Sequence, residues 1–213
     1  MSRNLKLSLG LVVAAVVVAF IAASGSNDDV GGGSGSDGEA VSVVPADSRR
    51  LSEGSSDVVF VEFLDFECEA CRAAFPAVEE LRSTYGDRVT FVVRNFPLHN
   101  NSVAAARAAE AAAEQGAFEE MHVRLFETQP EWGERSDSQE QVFFGFAEDL
   151  GLDMAEFRRV YDDPATVDKI ERDQADGRAL GVTGTPTFFL DGEKLEPESF
   201  DDLVAAFEQA LGA

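Results

Sequence analysis

The most informative feature of this sequence is a pair of cysteines, Cys68 and Cys71, which are the only two among its 213 residues. A single pair cannot form the disulfide framework of a small secreted domain, and it lacks the four ligands of a structural zinc site. The apolar segment 57–65 precedes the pair, and segment 67–85 repeats apolar residues every three or four positions. These patterns predict a buried strand, then a helix, with the cysteines at the junction.

The predicted position of Cys68 at a helix N-terminus points to redox chemistry. Unpaired backbone N–H groups and the helix dipole favour a thiolate there. Cys71 lies one turn further on the same face, within reach of a disulfide. We therefore interpret Cys68 as the attacking thiol and Cys71 as the resolving thiol, acting through a mixed disulfide. A purely stabilising disulfide is the alternative, but so short a loop removes little entropy from the unfolded chain.

The N-terminal segment 1–23 indicates export. Arg3 and Lys6 precede residues 7–23, which are all apolar or small. A membrane-spanning helix needs about 20 residues, with ~17 as a lower limit, whereas the apolar core of a signal peptide has ~7–15. The length favours an uncleaved membrane anchor, and a cleaved signal peptide followed by secretion is the alternative. In both cases the positive end stays inside, so the domain is expected outside the cytoplasm, where disulfides persist.

Residues 24–56 are rich in Gly, Ser and Asp and lack apolar periodicity. They are predicted to form a flexible linker, although residues 41–44 could add an edge strand. The following residues, 57–213, are enough for one domain with its own core.

The composition is strongly acidic, with 40 Asp and Glu against 17 Lys and Arg and a net charge of −23. This charge argues against nucleic-acid binding, which requires a basic surface. A solvated surface that keeps the protein soluble and an adaptation to high salt both fit the acidity.

The remaining segments predict an α/β fold. A second apolar strand spans 88–95, and residues 102–180 have helical periodicity throughout. Segments 185–191 and 193–195 flank Asp191-Gly192, a strong hairpin signal, and a helix over 199–211 follows. The order predicts a central mixed sheet flanked by helices, with an inserted all-helical subdomain at about 100–180.

Three motifs resemble the thioredoxin superfamily: Cys68-Glu69-Ala70-Cys71, the helix proline Pro76, and Gly184-Thr185-Pro186. The helical block is similar to that of its DsbA-like branch, on the evidence of Asn95–His99 and Ala104–Phe118. The resemblance covers about residues 55–212. It implies a thioredoxin fold and a protein thiol-disulfide oxidoreductase.

The resemblance also implies roles for residues outside the cysteine pair. Pro186 would be the cis-proline of the family, and Thr185 would present backbone groups to an extended substrate peptide. The alternative, which the sequence alone favours, is an ordinary proline at the start of a strand. Glu62 would be a buried carboxyl that relays a proton to or from Cys71, and a glutamate with water access is the alternative. Asp65, nearer the strand end, is expected to face solvent.

By resemblance, the chain would introduce or isomerise disulfides in exported, thiol-containing or unfolded proteins. The redox centre would be the cysteine pair, with no metal or organic cofactor, and a membrane partner linked to quinones would reoxidise it. A disulfide reductase fed from the cytoplasm, for example in cytochrome maturation, is one alternative. A non-catalytic, tethered peptide-binding or holdase module is another.

This chain departs from the strongly oxidising members, which carry proline and histidine between the cysteines. Here Glu69-Ala70 stands between them, and Glu67 is adjacent. Because nearby carboxylates disfavour a thiolate, we predict a pKa of Cys68 that is depressed less than in the strongest oxidants, and a less oxidising disulfide. A surface or capping role is predicted for His99, with a contact in the substrate groove as the alternative, and a structural role is predicted for His122.

Overall fold

The computed structural model describes residues 41–212. Its strands are β1 Arg49–Ser52, β2 Val59–Leu64, β3 Thr90–Asn95, β4 Thr187–Leu190 and β5 Glu193–Leu195. Its helices are α1 Glu69–Tyr85, α2 Ser102–Ala113, α3 Phe118–Trp132, α4 Glu140–Asp149, α5 Met154–Tyr161, α6 Pro164–Ala179 and α7 Phe200–Ala210. Every strand and helix predicted from residue 57 onward is present, with ends that differ by a few residues.

The five strands form one mixed sheet in the order β1-β3-β2-β4-β5. β2 and β3 are parallel and joined by α1, whereas the other neighbouring pairs are antiparallel. Helices α2 to α6 are inserted between β3 and β4. The predicted α/β thioredoxin fold with an all-helical insertion is therefore confirmed.

Strand β2 lies at the centre of the sheet and buries side chains on both faces. Phe60 and Leu64 belong to the larger core, which also contains Cys71, whereas Val61 and Phe63 belong to a smaller core on the other face. Because successive strand residues alternate between faces, Glu62 points to the same side as Phe60 and Leu64. The carboxyl group thus enters the apolar core beneath α1.

The structure corrects one boundary of the predicted linker 24–56. Residues 49–52 form β1, which pairs with the outer edge of β3, while residues 41–44 form no strand. Pairing satisfies edge N–H and C=O groups of β3 that water would otherwise have to satisfy. The preceding segment is also fixed, because the buried Arg94 guanidinium donates to the carbonyl oxygens of Ser42 and Val43.

Within residues 41–212, none of the helices is both long and apolar enough to span a bilayer. The predicted anchor or signal segment, 1–23, lies outside the described residues, as do residues 24–40 of the predicted linker.

Candidate active site

Cys68 and Cys71 lie where β2 gives way to α1. Cys68 is the N-cap residue of α1, and its backbone N–H donates to the carbonyl oxygen of Asp65 at 3.0 Å. Both thiols are free, and Cys68 retains 8% of its surface exposed, whereas Cys71 is completely buried. The predicted placement of the pair at a strand–helix junction is therefore correct.

The surroundings of Cys68 favour its thiolate and lower its pKa to about 5. The largest cause is a hydrogen bond from the Cys71 thiol, which outweighs partial burial, and the backbone N–H groups of Ala70 and Cys71 add to it. On the opposite side, the Cys68 thiol donates to the carbonyl oxygen of Thr185 at 3.3 Å, a contact that favours the protonated thiol. The buried Thr185 hydroxyl makes no hydrogen bond of regular geometry, yet it is close enough to help lower this pKa.

Cys71 has the opposite environment. Burial raises the pKa of its thiol far above the ordinary value, and hydrogen bonding to Cys68 and the charge of Glu62 act in the same direction. Burial is also the main reason that the pKa of Glu62 rises to about 8, with the charges of Glu79 and Cys68 adding to it. Glu62 therefore holds a proton at neutral pH, close to a thiol that resists losing its own.

The loop before β4 completes this group of residues. The peptide bond between Thr185 and Pro186 is cis. Because β4 runs antiparallel to β2, with Thr187 opposite Phe63, the start of β4 lies at the same edge of the sheet as Cys68. The fold thus brings the five candidate site residues together near the C-terminal end of β2: Glu62, Cys68, Cys71, Thr185 and Pro186.

Asp65 is buried, with 2% of its surface exposed, and does not face solvent as predicted. Its carboxylate accepts hydrogen bonds from the backbone N–H groups of Glu67 at 2.9 Å and Leu98 at 2.8 Å. The remaining partner is the ring Nδ1 of His99, 2.6 Å away. Three hydrogen bonds offset the loss of hydration, which is why a carboxylate is accommodated here.

Glu67 is likewise buried rather than a free surface charge beside the nucleophile. Its two carboxylate oxygens accept from the backbone N–H of Asn101 at 2.5 Å and from that of Glu134 at 3.0 Å. The side chain therefore ties the active-site loop to two segments of the helical insertion. Its charge is directed at these N–H groups, and it is not among the main causes that set the pKa of Cys68.

Gln129, at the end of α3, is a further site residue that no sequence pattern indicated. Its amide nitrogen donates to the carbonyl oxygens of Phe66 at 2.7 Å and Cys68 at 3.0 Å, and its amide oxygen accepts from Arg72. These contacts join residues about 60 positions apart, so no local signal could have revealed them. Within residues 41–212, no cluster of three or more His, Cys, Asp or Glu side chains could hold a metal ion.

Comparison with known proteins places this geometry in a family. A family model described as thioredoxin matches residues 48–209. Among curated proteins, the chain is 38% identical over 140 residues to a Na(+)/H(+) antiporter NhaA of Herminiimonas arsenicoxydans. It is also 38% identical over 178 residues to NhaA 3 of Salinispora tropica. The matches cover 66% and 80% of this chain but only 22% and 26% of those proteins, so the chain spans about a quarter of their length.

Solved structures give the same fold. A thioredoxin-like oxidoreductase from Silicibacter pomeroyi superposes with a TM-score of 0.67 and 29% identity, covering 79% of this chain and 95% of that one. BdbD from Bacillus subtilis superposes with a TM-score of 0.68 and 22% identity, covering 78% and 94%. The α-DsbA2 protein of Wolbachia pipientis superposes with a TM-score of 0.66 and 20% identity, covering 76% of this chain and 87% of that one. The chain therefore belongs to the thioredoxin family and carries the helical insertion of its DsbA-like members.

Proposed function

We propose that this chain is an extracytoplasmic protein thiol-disulfide oxidoreductase that introduces disulfides into exported proteins or isomerises their disulfides. One observation carries the proposal: two free thiols three residues apart have opposite acidities, with the pKa of Cys68 lowered to about 5 and that of Cys71 raised. A thiolate is both the better nucleophile and the better leaving group. This asymmetry assigns the exchange with substrate to Cys68.

In the oxidising direction, a substrate thiolate attacks the Cys68 sulfur of the Cys68–Cys71 disulfide. The new bond joins substrate to Cys68, the old S–S bond breaks, and Cys71 leaves with the electron pair. A second substrate thiolate then attacks the substrate sulfur of the mixed disulfide and releases Cys68 as a thiolate. The substrate loses two electrons and gains a disulfide, while the cysteine pair is reduced to the dithiol.

Glu62 supplies the proton that the Cys71 sulfur needs when it leaves in the first of these steps. Cys71 is a poor leaving group as a bare thiolate because burial raises its pKa. The buried Glu62 carboxyl is protonated at neutral pH and is close enough for its charge to affect Cys71. We infer that Glu62 delivers a proton to the departing Cys71 sulfur and takes one from it in the reverse reaction.

Substrate peptide would lie across the loop that precedes β4. The carbonyl oxygen of Thr185 is beside the Cys68 sulfur, and Pro186 follows it. An extended peptide could pair with this backbone as an added strand. Leu98 and Val103, two exposed apolar side chains flanking the His99 loop, would offer contacts that do not depend on a specific sequence.

The location and the electron partner are part of the proposal. The basic start and apolar stretch of residues 1–23 support membrane attachment with the domain outside the cytoplasm. A quinone-linked membrane enzyme would then accept electrons from the reduced pair. The relatives named as Na(+)/H(+) antiporters are matched over about a quarter of their length, and the chemistry of the cysteine pair supports exchange rather than ion transport.

Trapping mixed disulfides in cells tests the function. In Cys71→Ala the Cys68 thiolate can still attack a disulfide of an exported protein, but no Cys71 thiol is present to break the resulting mixed disulfide, so exported proteins should become covalently attached. The double variant Cys68→Ala/Cys71→Ala is the matched control and should capture nothing. Absence of any trapped protein, with secretion unchanged when the gene is deleted, would favour the non-catalytic peptide-binding module.

The redox state of the wild-type pair in cells separates the two directions of electron flow. A pair that is mostly disulfide at steady state supports the oxidase. A pair that is mostly dithiol, and becomes disulfide when electron supply from the cytoplasm is interrupted, supports the reductase.

A further inference from the structure

His99 is held in a fixed position beside the active-site loop. Its ring Nδ1 lies 2.6 Å from a carboxylate oxygen of Asp65, and its backbone N–H donates to the hydroxyl of Ser102 at 3.0 Å. Asp65 is itself buried and bound to the backbone N–H of Leu98. The side chain of His99 nevertheless keeps 44% of its surface exposed. A ring fixed through one nitrogen by a buried carboxylate, with the rest accessible, has the arrangement of a functional histidine.

Asp65 connects this histidine to the nucleophile. The Asp65 carbonyl oxygen accepts from the backbone N–H of Cys68, while its carboxylate holds His99. Partial burial lowers the pKa of His99, but the hydrogen bond to Asp65 and the negative charges of Asp65, Cys68 and Glu67 raise it overall. The Cys68 thiolate is therefore near enough to favour the imidazolium form. Because such coupling is reciprocal, the imidazolium favours the thiolate in return.

The residues between the cysteines provide no positive charge that could stabilise the Cys68 thiolate. Glu69 is acidic and Ala70 is uncharged, so neither can stabilise a negative sulfur through a positive charge. Arg72, one turn further along α1, donates its guanidinium N–H to Gln129. Glu67 and Asp65 are the carboxylates whose charges act on His99 from the active-site loop, and both are bound to backbone N–H groups.

We propose that His99 is the electrostatic partner of Cys68, supplying the positive charge that stabilises its thiolate, and that Asp65 is a positioning residue that acts through His99. The inference rests on the proposed exchange function and names a residue that contributes to the oxidising strength of the Cys68–Cys71 disulfide. Stabilising the thiolate favours the dithiol over the disulfide, so His99 makes the disulfide a stronger oxidant. Hydrogen bonds within the motif dominate the acidity of Cys68, so the contribution of His99 is a modest one.

Two substitutions separate charge from structure. His99→Gln keeps a side-chain N–H that can donate to Asp65 but removes the charge, whereas His99→Lys keeps a charge at all physiological pH values. The acidity of Cys68 is measured by thiolate ultraviolet absorbance in a common Cys71→Ala background, where a single thiol titrates. The equilibrium constant with glutathione is measured in proteins that retain both cysteines.

We expect His99→Gln to raise the pKa of Cys68 and to shift the glutathione equilibrium roughly two- to fivefold toward the disulfide form of the protein. His99→Lys should remain near wild type. Arg88→Gln is the matched control, because it removes one exposed charge beyond the far end of α1, about 25 Å along that helix from Cys68. If the Gln and Lys variants have equal pKa values and equilibria, the charge has no role and the proposal is overturned.

The coupling can also be followed from the histidine. The chain has two histidines, so nuclear magnetic resonance can titrate His99 directly, with His99→Gln identifying its signal. Its pKa should be higher in the dithiol than in the disulfide, which carries no charge at Cys68. Equal values in the two states would contradict the proposal even if the protein catalyses exchange. Failure of the wild type to exchange with glutathione would instead overturn the proposed function.

Discussion

At the scale of single residues, surroundings rather than residue type decide the chemistry of the site. Cys68 and Cys71 are one helical turn apart, yet one meets the unpaired N–H groups at the start of α1 and the other meets the apolar core. Exposure to donors lowers the pKa of the first thiol, and loss of hydration raises that of the second. The same loss of hydration acts on Glu62 and keeps its carboxyl protonated at neutral pH.

Replacing Glu62 with Gln tests the proton relay. An amide cannot deliver a proton to Cys71, so we expect the rate of mixed-disulfide formation with a model peptide to fall at least about tenfold at neutral pH. The rate should also lose the pH dependence centred near the pKa of Glu62, about 8. Asp57→Asn makes the same change at an exposed position before β2 and should preserve the wild-type profile. An unchanged rate and profile in Glu62→Gln would exclude the relay.

The same substitution should change stability with a definite sign. The pKa of Glu62 is about 8 in the folded protein and near 4.5 in an unfolded chain, so the folded state binds more protons between these values. The wild-type free energy of unfolding should therefore fall as pH rises from about 4.5 to 8, by roughly 3 to 5 kcal/mol from this residue. Glu62→Gln should lack this loss and be the more stable protein at pH 8 in urea unfolding.

His122 is a second buried titratable residue, and it has no hydrogen-bond partner on either ring nitrogen. Four aromatic rings surround it with centroids 5.1 to 5.9 Å away: Phe66, Phe75, Phe118 and Phe126. Burial lowers its pKa to about 3, and the charge of Arg82 adds to this. The ring is therefore neutral at physiological pH and packs as an apolar side chain.

Acid should destabilise the protein through His122. The unfolded chain binds a proton near pH 6.5 and the folded protein only near 3, so stability is lost as pH falls across this window, by roughly 3 to 5 kcal/mol. His122→Phe should flatten the dependence of the urea midpoint on pH in this range. Met121→Leu, a buried and non-titrating neighbour, should retain it. Equal slopes in the two variants would show that other groups cause the acid sensitivity.

At the scale of elements, hydrogen bonds from the helical insertion hold the active-site loop in place. Glu67 reaches out of the loop to the insertion, and Gln129 reaches from α3 into the loop. Each bond satisfies a backbone group that would otherwise be buried without a partner. The insertion therefore fixes the backbone on both sides of Cys68.

Gln129→Leu should loosen this support. The carbonyl oxygens of Phe66 and Cys68 would lose their donor in a buried setting, which costs about 1 to 3 kcal/mol of unfolding free energy. Amide exchange around Cys68 should accelerate in the same variant. Arg72→Met removes only the exposed guanidinium on the other side of Gln129, so its cost should stay within about 0.5 kcal/mol. Equal costs for the two variants would mean that the contacts to the loop carry no special weight.

At the scale of the whole molecule, self-repulsion between surface carboxylates opposes folding. With a net charge of −23, screening should raise the free energy of unfolding as sodium chloride is increased from low concentration to about 1 M, where the Debye length is ~3 Å. Urea unfolding at a series of salt concentrations measures this. Potassium chloride should act equally, because screening does not depend on the cation. A stability that stays constant or falls with salt would count against adaptation to high salt.

Sequence patterns were sufficient to predict the local features of the fold. Apolar runs, helical periodicity and the Asp191-Gly192 turn predicted the strands and helices of the domain, because these signals depend on near neighbours in the chain. For the same reason, the strand–cysteine–helix order predicted that Cys68 lies at the helix N-terminus and Cys71 in the first turn. The linker boundary was wrong because β1 owes its existence to pairing with β3, far away in sequence.

The surroundings of the cysteines depend on contacts between segments that are distant in the chain. Parallel pairing sets Leu64 opposite Asn95, so the loops that follow β2 and β3 meet, and Asp65 reaches His99. Burial then made Asp65, which was expected to face solvent, and the nearby Glu67 into hydrogen-bonded parts of the site. An aspartate has the same local signature whether buried or exposed, since burial depends on strand register and on distant segments that no nearby residue encodes.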